Sequence, residues 1–279
     1  MRELETRDIE SAVEKAFVDA NIHLPEQVVG RLKIASEEEV SPEGKEVLDE
    51  LLANARIARE ENIPICQDTG LAVLFLEIGQ DVHVTGGYLI DAITEGVRRA
   101  YLKGYLRKSC CDPFTRTNTG DNTPAIIHTS VVRGDRIRIV AMPKGGGSEN
   151  CSALRMLTPS EGIEGVIDFV VETVKKAGPN PCPPITVGVG VGGNLETSAL
   201  LSKEALMIPF NQRNPEPYLG DLELRIVNEI NKLGIGPGGY GGRVTALDAH
   251  IKVQACHIAS LPVSVNIQCH AHRFSEVTL

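Results

Sequence analysis

Residues 66–78 read Cys66-Gln67-Asp68-Thr69-Gly70-Leu71-Ala72-Val73-Leu74-Phe75-Leu76-Glu77-Ile78: four polar side chains, a glycine, then eight residues of which seven are apolar. The apolar part, Leu71 to Ile78, is too short for a helix and reads as a buried strand. The polar part is poor core material. Burying Cys66, Gln67, Asp68 and Thr69 together would cost about 1–3 kcal/mol for each unsatisfied group, so the protein has to use them. Gly70 marks a sharp turn, which presents the four side chains from a loop at the head of the strand.

Working outward, Ile9, Ala12, Val13, Ala16, Phe17 and Ala20 form one helical stripe over residues 7 to 20. Ser41-Pro42-Glu43-Gly44 has the chemistry of a helix start, so the first 60 residues are predicted to be largely helical. Downstream, Tyr88 to Leu106 has helical spacing, while Asp112 to Pro124, rich in Thr, Asn, Gly and Pro, reads as an ordered polar loop. Strands are predicted at 125–132 and 136–142, and the Arg133-Gly134-Asp135 turn between them predicts a hairpin. Thr158-Pro159-Ser160-Glu161 caps a helix over 163–177, a strand follows at 185–191, and helices over 194–206 and 219–233 precede two last apolar runs, 246–255 and 261–267. The pattern is mixed α/β, with mixed sheets interleaved with helices behind a helical N-terminal segment. We treat residues 1–279 as one domain, with a helical lead-in over 1–60 and an α/β region over 61–279.

Length allows one or two domains, and 42% hydrophobic with 23% charged residues fits a soluble globular protein. With no signal sequence at Met1 and no apolar run of about 18 residues, a cytoplasmic protein without a membrane segment is expected. A formal net charge of −9 argues against nucleic acid as a partner. An anionic substrate would need local cations, and Arg98, Arg99, Lys103, Arg107, Lys108 and Arg116 face only Glu95 and Asp112 in their segment. A solvated helix face accounts for most of these six.

The seven cysteines are odd in number and irregularly spaced, which suits thiols or metal ligands rather than disulfides. Cys66, Cys182 (between prolines) and Cys269 (in Gln-Cys-His-Ala-His-Arg) each sit at the edge of an apolar element, 116 and 87 residues apart. Chemistry alone leaves two readings: buried structural thiols, since free cysteine packs as a small hydrophobe, or distant ligands converging on one centre. Cys110, Cys111, Cys151 and Cys256 read as structural or incidental. Lys144-Gly145-Gly146-Gly147-Ser148 has the composition of an anion cradle, although it is not a P-loop. Gly188 to Gly193 matches the dinucleotide fingerprint but lacks the acidic residue that should follow. His257, on an apolar run, reads by default as a satisfied core histidine. With Cys256, His270 and His272 it offers a weaker alternative, a structural zinc site.

Together, Ile65 to Gly70, Asn118-Thr119-Gly120-Asp121-Asn122, Lys144 to Ser148, Cys182-Pro183-Pro184 and Cys269 resemble class I fumarate hydratase, the iron–sulfur fumarase, in the alpha subunit of its two-subunit form. The resemblance spans essentially the whole chain, with the motifs in family order. It implies that Cys66, Cys182 and Cys269 hold a 4Fe–4S cluster whose fourth iron binds the hydroxyl and carboxylate of a small dicarboxylate substrate. It implies that Asp68 handles the leaving hydroxyl with His257 nearby, and that Gln67, Arg107 and the backbone at Gly147 contact substrate carboxylates. It also implies a hetero-oligomer in which a beta subunit supplies the base for the carbon proton, so that this chain alone is inactive. The related L(+)-tartrate dehydratase alpha subunit resembles the chain around Cys66, Cys182 and Cys269 to Arg273. It lacks the Lys-Gly-Gly-Gly-Ser loop, which orders (S)-malate and fumarate ahead of tartrate as expected substrates. A non-enzymatic metal or redox sensor using the same cysteines is the reading from another class.

Overall fold

Apolar stripes of helical period and short buried runs alternate along the chain, and the computed structural model, which describes residues 2–279, turns them into the following elements. In chain order they are β1 (Arg2–Glu5), α1 (Thr6–Ile22), α2 (Glu26–Glu38), α3 (Pro42–Glu61), β2 (Leu71–Gly79), β3 (Val82–Thr85), α4 (Leu89–Lys103), β4 (Ile126–Val132) and β5 (Ile137–Lys144). There follow a four-residue α5 (Gly146–Glu149), β6 (Ala153–Leu157), α6 (Gly162–Ala177), β7 (Ile185–Gly192), α7 (Leu195–Ala205), α8 (Pro217–Asn231), β8 (Ala246–Gln254), β9 (Leu261–Gln268) and β10 (Ser275–Thr278). The mixed α/β class and the helical N-terminal segment are as the sequence predicts. The elements form two compact units. The first holds the chain up to Pro25, Ala55–Gly146 and Arg273–Leu279; the second holds Glu26–Asn54 and Gly147–His272. No helix among the described residues is long and apolar enough to cross a membrane.

In the first unit the sheet order is β10-β5-β2-β4, beside a small parallel pair of β1 and β3. Helices α1 and α4 cover the sheet: Ile9, Val13 and Phe17 meet Ile93, Val97 and Tyr101 over Leu74, Leu76, Ile137 and Ile139. The predicted hairpin does not form. Strand β4 pairs in parallel with β2 (Val73 opposite Ile126) and β5 pairs antiparallel with it (Leu74 opposite Ala141), so β2 lies between them. The reason is burial. Ala72 to Leu76 are all buried and need a neighbour on each edge, whereas β4 leaves Ile126 and Val131 in solvent and suits an edge.

In the second unit the order is β6-β9-β7-β8, with β7 parallel to β8 and antiparallel to β9. Val187 and Val189 face α6 and α8, packing with Val170, Val174, Ile226 and Ile230. On the opposite face α7 lies against bare backbone. A Cβ added at Gly188 or Gly190 would stand 2.0 Å from the carbonyl oxygens of Ser202 and Ser198. The glycine fingerprint thus serves helix–strand packing. Gly193 (φ +64°) turns the chain into Asn194, whose side chain caps α7 by accepting the Thr197 N–H at 2.9 Å.

Two buried ionic arrangements brace this unit. Arg213 binds Asp248 through both carboxylate oxygens at 2.6 and 2.7 Å, beside Glu223, whose pKa burial raises, and His250, which burial pushes down to about 4. Glu39, also buried, accepts the N–H groups of Val40, Ser41, Arg243 and Val244 at 2.7–2.9 Å. Burial alone would raise the Glu39 pKa, but these four donors hold it below the ordinary glutamate value.

Two outcomes follow. Gly188→Val should cost more than about 3 kcal/mol in urea unfolding, because the neighbour at 2.0 Å is helix backbone that cannot give way. Since its folded-state pKa is depressed, Glu39 contributes fully above the unfolded pKa, and the contribution is lost as pH falls through the folded pKa. Glu39→Gln should therefore lower stability at pH 7 by about 1–3 kcal/mol and flatten the acid limb of the stability–pH profile, measured by urea unfolding between pH 3 and 7.

Candidate functional site

The loop ahead of β2 is held from several directions within the first unit. The Cys66 thiol donates to Gln67 Oε1 and accepts the Asp68 N–H, both at 3.4 Å. Asp68 Oδ1 accepts the Gly70 N–H at 2.9 Å, and its Oδ2 accepts the Gly146 N–H at 2.8 Å. Gly70 (φ +75°) is squeezed against β5: a Cβ there would lie 2.7 Å from Lys144 backbone atoms. The Tyr101 hydroxyl, fully buried and with its pKa raised by that burial, lies 2.9 Å from the Thr69 carbonyl and 3.0 Å from that of Gly70. Arg273 Nη2 donates to the Asp68 carbonyl.

The polar loop after α4 closes onto the same place. Asn122 (φ +62°) accepts the N–H groups of Ser109 and Cys110 at 2.7 and 2.9 Å and donates to the Gly70 carbonyl at 3.2 Å. Thr69 Oγ1 donates to the Arg107 carbonyl at 2.9 Å. Half of the six basic residues are neutralised, by more acids than their own stretch supplies. Arg98 pairs with Glu95 and Asp121, Arg99 with Glu95 and Glu10, and Lys103 with Glu14. Arg107 is exposed and makes no ion pair among the described residues. It is thus a cation beside the Cys66 loop that remains open to an anionic ligand.

The glycine loop departs from the cradle expected of it. Lys144 is buried at the end of β5, and the Gly146 N–H already holds the chain's own Asp68 carboxylate. This loop acts as a clamp on Asp68.

In the second unit, Cys182 (φ +54°) is exposed ahead of β7, and Cys269 follows β9. His270 draws the two together, donating its N–H to the Cys182 carbonyl at 3.3 Å and placing Nδ1 at 3.1 Å from it. Gly147, also exposed, has the Asn180 carbonyl 3.5 Å from where a Cβ would stand. His257 lies elsewhere. It is exposed in the turn between β8 and β9, its Nδ1 accepting the Ala259 N–H at 3.1 Å, and is not the core histidine that its apolar flanks predict. The length of β9, roughly 23 Å at about 3.3 Å per residue, separates it from Cys269. The same strand keeps Cys256 and His257 away from His270 and His272, which removes the zinc alternative.

Nor are the cysteines buried structural thiols. None of the seven is in a disulfide, Cys182 and Cys256 are exposed, and the other five are half-buried. Among the described residues no group of three His, Cys, Asp or Glu side chains could hold a metal ion. An iron–sulfur cluster asks for something different: separate thiolates, each on its own iron, offered from loop ends. Cys66 in the first unit, and Cys182 and Cys269 in the second, are each a thiol of that kind. Sequence reasoning assigned no role to Tyr101 or Arg273. Tyr101 reads only as an inward helix position, and the signal for Arg273 is its place at the end of the Cys269 motif.

The sequence model described as Fumarate hydratase (Fumerase) matches residues 10–278. The chain is 43% identical to the putative L(+)-tartrate dehydratase subunit alpha of Methanocaldococcus jannaschii, covering 95% of each chain. It is 36% identical to the L(+)-tartrate dehydratase subunit alpha of Escherichia coli O157:H7, over 90% of this chain and 84% of that one. The Escherichia coli K12 protein of the same name is 35% identical with the same coverage.

Asn122→Ala removes the acceptor for two half-buried N–H groups and the donor to Gly70. It should cost about 2–4 kcal/mol in denaturant unfolding and raise hydrogen exchange at Ser109 and Cys110.

Proposed function

The chain belongs to the fumarate hydratase (Fumerase) family, and from that membership we propose that it is the alpha subunit of an iron–sulfur hydro-lyase removing water from a small 2-hydroxy-dicarboxylate. The observation that carries this reading is the clamped Asp68 carboxylate, bound by N–H groups on both oxygens two residues from a free, half-buried thiol. A 4Fe–4S cluster held by Cys66, Cys182 and Cys269 would supply one iron with an open coordination position, a Lewis acid toward the substrate hydroxyl.

The chain's own residues do the rest. Each Asp68 oxygen keeps a second lone pair beyond the N–H it accepts, so Oδ2 can carry the proton that converts the departing hydroxide to water. Gly70 and Gly146 fix that carboxyl before the substrate arrives. Arg107, Gln67 and the Gly147 backbone bind substrate carboxylates, with Arg107 supplying the charge that a protein of net charge −9 otherwise lacks. The base that takes the carbon proton comes from a beta subunit, so the working form is a cytoplasmic hetero-oligomer and this chain alone is inactive. The names of the relatives support L(+)-tartrate as the first substrate to test. The Lys144 to Ser148 sequence supports (S)-malate and fumarate as the second, a reversal of the order drawn from that loop alone.

Reconstituting the chain anaerobically with iron and sulfide, with and without its beta subunit, tests the reading. Turnover of L(+)-tartrate or (S)-malate is expected only in the pair, and whichever acid gives the larger kcat/KM fixes the substrate. A cluster without turnover of any hydroxy-diacid would instead indicate a sensor. Asp68→Asn should abolish turnover while leaving iron content unchanged. His257→Asn, a strand's length from Cys182 and Cys269, should reduce kcat by less than about tenfold; a loss equal to that of Asp68→Asn would place His257 at the reacting atoms.

A further inference from the structure

Arg273 is only 2% exposed, and of its three guanidinium nitrogens one, Nη2, has a partner, the main-chain carbonyl of Asp68. Nε and Nη1 are buried without any hydrogen-bond partner. Arg273 also makes no ion pair of 4.0 Å or less among the described residues. An arginine buried for structure is saturated by carbonyls or carboxylates, because an uncompensated interior cation is costly. This one keeps its charge in the interior for a single contact, and that contact is with the residue whose side chain the glycine loop clamps.

The surroundings sharpen the point. A Cβ added at Gly145 would lie 3.2 Å from Asp68 Oδ2 and 3.8 Å from Arg273 Nη2. The carboxylate oxygen and the guanidinium nitrogen therefore border the same small space, left open by a residue without a side chain. The neighbouring carbonyls, of Thr69 and Gly70, are held by the neutral donors Tyr101 and Asn122. A neutral donor would have sufficed for the Asp68 carbonyl as well, so the charge is the feature that remains to be accounted for.

We propose that Arg273 is a positioning residue for Asp68: it fixes the Asp68 main chain through the carbonyl and holds the carboxylate electrostatically across the gap at Gly145. The inference rests on the reading of Asp68 as the proton carrier. With Asp68 free to swing away from Gly146, the group that protonates the leaving hydroxide is misplaced, which lowers kcat more than it raises KM.

The test uses the reconstituted alpha–beta complex and compares Arg273→Ala, Arg273→Lys, Asp68→Asn and the Asp68→Asn/Arg273→Ala pair. Arg273→Ala should lower kcat by about 10–100-fold, with KM, iron and sulfide content near those of the parent. Added guanidinium ion should restore part of the lost kcat in Arg273→Ala and none in Asp68→Asn. The double variant should be no worse than Asp68→Asn alone. Arg273→Lys, which keeps the charge without the planar fork, should fold and show an intermediate kcat. The proposal is overturned by an Arg273→Ala kcat within about twofold of the parent, or by a loss that tracks iron content and ignores guanidinium. If Arg273→Ala does not fold, a parental kcat in Arg273→Lys overturns it. Should Asp68→Asn itself retain turnover, the reading of Asp68 fails independently of what the Arg273 variants do.

Discussion

At Gly70 the main chain passes so close to β5 that a β-carbon would lie 2.7 Å from Lys144 backbone atoms, and much of the first unit is arranged around that approach. It starts the antiparallel register in which Leu71 faces Lys144, and that register makes β2 the centre of its sheet. It also lets Asp68, two residues earlier, reach past the end of β5 to the Gly146 N–H. Tyr101 from α4 and Asn122 from the polar loop both donate to the Gly70 carbonyl, so a helix and an irregular segment fasten to the same turn. A larger residue at 70 would separate these elements before it affected any of them singly.

Much of the fold could be read along the chain, because a helix stripe or a buried run is local information. The stripe from Ile9 to Ala20 lies within α1, Asn194 caps α7, and Thr158 and Glu161 cap each other ahead of α6. Pairing is not local, which is why two strands joined by a good turn were separated by β2. Short strands that carry charge, such as β1 (Arg2–Glu5) and β10 (Ser275–Thr278), leave no periodicity to find. They exist because β3 and β5 offer them free edges.

The candidate site shows the same division. Cys66 to Gly70 stood out because four polar side chains in a row need partners, and the partners exist. Their identity was hidden. Nothing in Lys144 to Ser148 says that its N–H groups would hold a carboxylate of the chain itself in place of a ligand's. The acids that neutralise Arg98, Arg99 and Lys103 come partly from α1 and from Asp121, at a distance along the chain that a local charge count does not span. What remains without an ion pair among the described residues, Arg107 with Lys108 and Arg116, emerges only once those pairs are subtracted.

Neither unit is a continuous piece of chain, since the path changes unit at 25/26, 54/55, 146/147 and 272/273. The last of these changes carries an implication for synthesis. The first unit obtains Arg273 and the β10 edge strand, with Ser275 opposite Ala141, only once residues 273–279 have left the ribosome. Until then β5 keeps an open edge of unpaired backbone groups, a template for pairing with another chain. A product truncated before Arg273 would carry all seven cysteines and every helix of the described residues yet leave that edge exposed, so a message cut short just ahead of that codon yields a chain prone to aggregation.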